Sequence, residues 1–422
     1  MHVSRVIQAT IDSDLSLYRV LDPAVLANPN PFYRTLREHS PVHWDPYMHT
    51  WVVTSYAEAV TVLKTCSAER TPKIESLREL GLPVVEPLAD MMQQQMMFMD
   101  GSRHARLRTI CSAAFTTRSV ENLAGFIETI SDSLLDRVIE SGRMDVVADF
   151  ANPLPAIVTA KLLGVPLEDH AKLRAWANDL AEWLGNLQLH PDRAAQSARS
   201  LEELKQYLGM KLKEQRRSPQ GGLIHSLMAA EAEGECLSEE QVIANAIITL
   251  IGGHETTTNL IASGFLTLMQ HRECFEGLRN SPEIMASAVE ELLRFESPVQ
   301  HTARVATQEI DLGERKIERG ARIVVVLAAA NRDPERFPDP DCLDLERSDN
   351  RHLAFGWAQH FCFGAPLARL EAKIAFTRLL CRISNPELEH RGWEWRNNAG
   401  LRGLTSLRIR FDSLSAVAGA CL

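Results

Sequence analysis

The chain has 422 residues, enough for two or three domains of usual size or for one large helical enzyme. A formal charge of −10 argues against general nucleic-acid binding, and 45% hydrophobic with 24% charged residues describes an ordinary globular protein with ample core-forming material. Disordered, collagenous and coiled-coil classes are excluded.

No apolar run approaches the ~20 residues that a bilayer demands. The longest, Ile323 to Ala330, has the length of a strand. The opening MHVSRVIQATIDSD lacks the apolar core of a signal peptide, so a cytoplasmic protein without membrane contact is expected. Eight cysteines are scattered with no Cys-x-x-Cys pair, so one or two at most carry chemistry.

No repeat, low-complexity linker or charge block divides the sequence, which predicts one domain over residues 1–422. A small β-rich part is expected near residues 41–60, where PVHWDPYMHTWVVTSY alternates apolar and polar residues around an Asp-Pro turn. Next comes MMQQQMMFMD, with Met91, Met92, Met96, Met97 and Met99; flexible thioethers suit an adaptable apolar pocket or, equally, ordinary core filling. Helical patterns dominate from about 100 to 295. A second β-rich part follows near 299–330, and then the proline- and aspartate-rich ANRDPERFPDPDCLDLERSDN reads as an irregular meander. ARLEAKIAFTRLL spaces its apolar residues by three and four, so a helix is expected over about 366–381. The fold class is mainly α with a small β component.

Residues 238–271 form the most informative predicted helix. Ser238 with Gln241 three residues on is a capping box, and QVIANAIITLIGG is apolar nearly all round. His254, Glu255 and Thr256 then interrupt a core helix directly after Gly252-Gly253. Glycine costs ~1 kcal/mol against alanine in a helix interior, and an unpaired buried carboxylate costs more. The glycines would let a ligand approach the backbone while Glu255 and Thr256 face a polar, water-containing cavity; the alternative is a surface kink. Thr258 stands where a His-Glu-x-x-His zinc site has its second histidine, which excludes that site.

Cys362 lies just before the last predicted helix, where Pro366 suits a first turn and the positive dipole end favours a thiolate. Gly356 and Gly364 bracket it and permit tight turns and approach of a flat cofactor. A lone thiolate fits a haem iron better than zinc, which takes four ligands; the alternative is a buried structural cysteine.

On these residues the chain resembles the soluble bacterial cytochromes P450. The family pattern Phe-Gly-x-Gly-x-His/Arg-x-Cys-x-Gly is matched by Phe355, Gly356, His360, Cys362 and Gly364, with Ala358 in place of the second glycine, a change expected to alter the local backbone. Gly252 to Thr257 resembles the oxygen-activation motif, with Glu255 and Thr256 as its acid and alcohol. Glu291 and Arg294 resemble the Glu-x-x-Arg helix, which joins an arginine of the meander, here Arg347, to lock the core supporting the cysteine loop. His104 and Arg108 resemble the His-x-x-x-Arg helix that reaches a haem propionate, and Arg304 and His360 match two further propionate partners.

The resemblance implies the cytochrome P450 fold, with haem b (iron protoporphyrin IX) sandwiched between the central helix and the cysteine-loop helix and Cys362 as metal ligand. It implies O2 as oxidant and two electrons from NAD(P)H through ferredoxin reductase and ferredoxin. Thr256 would orient water and Glu255 would relay protons, with His254 either extending that route or simply packed. Arg106, Arg369 and Lys373 are candidates for docking ferredoxin. The expected product is a hydroxylated or epoxidised apolar small molecule of medium size, made by a monomer in natural-product metabolism. Met96, Met97, Ile248 and Val299 are candidate pocket residues. Oxidative coupling or peroxide-driven oxidation without oxygen insertion is the alternative; a haem-binding sensor is a third reading.

Overall fold

Residues 13–79, 81–185, 191–229, 231–232 and 235–413 are described by the computed structural model; Cys421 and the first and last residues of the predicted domain lie outside them. Helices account for most of the chain between Gly101 and Glu296, as the apolar periodicity predicts, interrupted by the strand Arg143–Asp145. The central helix runs Glu239–Gln270, 32 residues or ~48 Å at the usual rise. Its start is the predicted capping box: Ser238 Oγ accepts the Gln241 amide at 3.2 Å, and Gln241 Oε1 accepts the Ser238 amide at 3.1 Å. Burial on nearly every face follows from its all-round apolar sequence, since helices Pro153–Leu163, His170–Gly185, Met285–Glu296 and Ala365–Arg382 all pack on it.

Val146–Leu163 has the length and apolarity to span a bilayer, but 61% of it is buried inside the protein, against the central helix among others. Core packing accounts for its composition.

The predicted hairpin pairs Val42–Asp45 with Thr50–Val53. Asp45 closes the turn by accepting the Tyr47 and Met48 amides at 3.0 and 3.1 Å. Thr50–Val53 then runs parallel to Arg322–Val325, whose other edge takes Thr302–Val305 antiparallel. The strand expected over Ile323–Ala330 stops at Val325, and Leu327–Ala330 turns helical. Both halves are buried, so hydrophobicity did not separate them; alanine's helix preference is the local reason for the change. Strands Ile383–Trp395, Leu404–Ser413 and Arg143–Asp145 form a second sheet. Residues 331–351 contain no helix or strand, as expected of the meander.

Candidate active site at the cysteine loop

The loop before helix Ala365–Arg382 is held by its own backbone. The Cys362 amide donates to Phe355 O at 2.8 Å, Phe361 N to Ala358 O at 3.1 Å, and Gly356 N to Leu353 O at 2.8 Å. Gly356 has φ +72°, a conformation glycine adopts without cost. Ala358, in place of the family's second glycine, holds φ +55° in the same left-handed region, a geometry that glycine favours. Gly364 has an ordinary φ of −80° and caps the helix; a Cβ on it would lie 3.8 Å from the Cys362 sulfur.

Burial pushes the Cys362 thiol up; the Gly364 amide, Arg108, the Ala365 amide and Arg369 pull the other way. Cys66 and Cys111 are buried outright, whereas the Cys362 residue is half-buried.

Helix Gly101–Ala114 brings two predicted residues to this loop. The His104 ring lies 4.2 Å from that of His360, and the Arg108 guanidinium lies 5.9 Å from the Phe363 ring. His104 is buried, which together with His360 and Arg108 pushes its imidazole down to about 4, so it is neutral at neutral pH. Asp100 accepts His360 Nε2 at 2.9 Å, Gln359 at 3.3 Å, Ser67 Oγ at 2.5 Å and the Ala68 amide at 2.9 Å. Arg304 is 5% exposed and, among the described residues, donates only to Thr302 Oγ1 and the Ala303 carbonyl, with no partner for its Nε.

On the central helix, Gly252 is exposed between buried Ile251 and half-buried Gly253, and a Cβ there would meet nothing within 4 Å. Gly253, expected beside it at the ligand, instead faces Thr159, whose Oγ1 would lie 3.1 Å from a Cβ. A rotation of ~100° between successive helical residues sends the two glycines to different neighbours. Thr256 Oγ1 donates to Gly252 O at 2.6 Å. Glu255, expected to face a water-containing cavity, is 1% exposed and ion-paired with Arg396, which also holds Glu182 at 2.6 Å; Glu255 Oε2 has no partner among the described residues. His254 is packed, with Nε2 2.9 Å from Asn152 Oδ1.

Of the pocket candidates, Ile248 is 8% exposed one turn before Gly252, and Met97 is 36% exposed. Met96 is buried, its amide donating to Asn245 Oδ1 at 3.0 Å, while Met91, Met92 and Met99 fill core. Val299 forms a β-bridge with Leu401.

Glu291 and Arg294 are fully buried and paired through two 2.7 Å hydrogen bonds. Arg347 donates to Glu291 at 3.2 Å, and Asn350 and the Asp344 amide add bonds of 3.1 and 3.0 Å. Arg294 also donates to Asn331 O, and Asn331 Oδ1 accepts the Leu353 amide at 2.6 Å, two residues before Phe355. Glu290 braces the loop from both sides: Arg369, beyond Cys362, chelates it at 2.7 and 2.8 Å, and His352, before it, lies at 3.2 Å. Sequence reasoning missed Asp100, Glu290, Asn331 and Arg396. Asp100 could have been found from its place just before a helix start; Arg396 carries no sequence signal.

A family model described as cytochrome P450 matches residues 73–385, well over half of the chain. The chain belongs to the cytochrome P450 family. It is 37% identical over 390 residues to the biotin biosynthesis cytochrome P450 of Bacillus subtilis strain 168, covering 92% of this chain and 97% of that one. It is 37% identical over 395 residues to the cytochrome P450 monooxygenase PikC of Streptomyces venezuelae, covering 91% of each. Among solved structures it resembles P450BioI in complex with hexadec-9Z-enoic acid ligated acyl carrier protein, at TM-score 0.85 and 36% identity, covering 92% of this chain and 99% of that one. A myxobacterial cytochrome P450 in complex with myristic acid gives TM-score 0.84 at 35% identity, covering 94% and 99%. The mainly helical fold with small sheets is therefore the P450 fold, and the protein is an oxidoreductase of the monooxygenase family.

Membership implies haem and use of O2, and the residues present fit that cofactor. A half-buried cysteine lies at a helix start, a glycine on the central helix opens onto free space, and the buried Arg304 Nε lacks an acceptor among the described residues.

Proposed function

We propose that this cytochrome P450 takes two electrons from a ferredoxin and inserts one atom of O2 into an apolar small molecule of medium size. Bound haem b would supply O2 activation, which the protein alone lacks. Cys362 would ligate its iron, with Phe355, Gly356 and Gly364 shaping the loop and the Gly364 and Ala365 amides tempering the sulfur's charge. His104, Arg108, Arg304 and His360 would hold the propionates. Gly252 would leave room for the ring. Thr256 would position water beside it, and Glu255, held in place by its ion pair with Arg396, would pass protons inward. Ile248, Met97 and Val299 would contact substrate.

Substrate class draws on relatives named for biotin and polyketide biosynthesis and on neighbours holding fatty acids. They favour natural-product or acyl-chain oxidation, and the enzyme would act as a cytoplasmic monomer. Ferredoxin docking would fall on the cysteine side near Arg106 and the exposed Lys373; Arg369 contributes less, its charge being matched by Glu290.

The observation that carries the proposal is Cys362, the one cysteine that combines accessible surface with a helix-start loop matching the family pattern. Reduced protein under carbon monoxide is expected to show the red-shifted Soret band of a thiolate complex, absent from Cys362→Ser. A colourless protein, or an unchanged band in the variant, refutes it. Labelled dioxygen appearing in product separates insertion from coupling or peroxide chemistry.

A further inference from the structure

Arg70 is a cation with no acid of its own. Its guanidinium donates to the carbonyls of Ala68 at 3.0 Å and Met97 at 3.4 Å and lies 4.5 Å from the Phe98 ring centroid. No carboxylate pairs with it among the described residues. The charges it feels are those of Arg304, Asp100 and Arg322, and burial lowers its guanidinium to about 9. Asp100, the nearby acid, is already engaged by Ser67, Ala68, Gln359 and His360.

Arg304 is in the same position: buried, repelled by Arg70, bonded to a hydroxyl and a carbonyl, with Nε unmet. Arg108 has no carboxylate partner among the described residues either. Arg70, Arg108 and Arg304 thus bring three guanidiniums, and Asp100, which faces Arg70 and Arg304, is the one carboxylate set against them, while the neighbouring His104 stays neutral. Two positive charges are left over in an environment where an uncompensated ion costs several kcal/mol. Two further carboxylates close the count.

We propose that Arg70 is a carboxylate-binding residue beside the cysteine loop, acting with Arg304 on an acid that enters from outside the chain. This rests on the haem-thiolate reading, and two sources share the chemistry: a haem propionate and the head of an acidic substrate. The charge count favours the propionates, because haem brings two at once.

The test uses Arg70→Gln and Arg70→Lys in the full chain, with unfolding midpoints to establish that both fold. Transfer of ferric haem to an acceptor globin is timed, and the same is done with haem dimethyl ester. Binding of palmitic acid and of methyl palmitate is followed by the spin-state shift. If Arg70 holds a propionate, Arg70→Gln loses haem roughly tenfold faster, as expected for a lost charged hydrogen bond. It then loses the diester no faster than the parent, and Arg70→Lys lies between. If Arg70 holds a substrate head, haem transfer is unchanged and palmitic acid alone binds more weakly. Equal losses of haem and diester, or no change in any measurement, overturn the proposal. A parent protein that retains neither porphyrin refutes the haem reading itself, a failure seen before any variant is made.

Discussion

Replacing Glu291 by alanine probes how the cysteine loop is supported. Glu291 accepts two 2.7 Å bonds from Arg294 and further bonds from Arg347, Asn350 and the Asp344 amide, and both members of the central pair have no exposed side-chain surface. Removing one partner of a buried pair costs about 3–5 kcal/mol, because the other charge is left without compensation. Here Arg294 keeps the carbonyls of Asn331, Pro340 and Cys342, which partly solvate it and put the expected loss at the lower end, about 3 kcal/mol. That is a large fraction of the 5–15 kcal/mol typical of a folded protein. Denaturant unfolding followed by tryptophan fluorescence should show a lower midpoint with an unchanged slope. Glu309→Ala is the control: its 3.4 Å pair with Lys316 is exposed on both sides, and its midpoint should not move. Replacing Glu291 and Arg294 together by methionine and leucine should recover much of the loss, since no buried charge then remains. A Glu291→Ala midpoint equal to that of Glu309→Ala would refute the reasoning.

Two further outcomes follow from the loop. Although burial alone would raise it, the Glu290 carboxyl is held down at about 2 by Arg369 and His352. Its folded value lies below its ordinary 4.5, so its contribution, about 3 kcal/mol at most, is present above 4.5 and fades as pH falls towards 2. The stability gap between the parent and Glu290→Gln should therefore be widest near neutrality and narrow in acid; a gap independent of pH contradicts the assignment. Ala358→Gly should stabilise the protein by about 0.5–1 kcal/mol, because relief of the left-handed strain exceeds glycine's entropic penalty. A lower unfolding midpoint in that variant would show that the alanine methyl makes a contact worth more than the strain.

What could be read from the sequence is what neighbouring residues determine. The capping box at Ser238, the apolar run of the central helix, the Asp45 turn and the proline in the first turn after Cys362 are all local, and each appears in the structure where the pattern puts it. Contacts across the chain were legible only through resemblance, as with Glu291 and Arg347. Where resemblance offered nothing, they were invisible: Arg396 reaches Glu255 over 141 residues, and Asp100 reaches His360 over 260. The glycine pair failed for a different reason. Composition marks Gly252 and Gly253 alike, and only the neighbouring helix Pro153–Leu163 decides that one faces open space and the other Thr159.

The same rotation explains why Glu290 and Glu291 do separate jobs. One step along a helix turns the side chain by ~100°, so consecutive carboxylates on Met285–Glu296 point into different surroundings. Glu291 turns inward, where only complete pairing makes a charge tolerable, and it gathers the meander that leads to the loop. Glu290 remains half-buried and clasps His352 before the loop and Arg369 after it. Pairing spread over two acids fixes both ends of the Cys362 segment to one helix. The sulfur's position then depends on that helix rather than on the loop's own few hydrogen bonds, which is what a ligand of fixed geometry demands of a segment without regular structure.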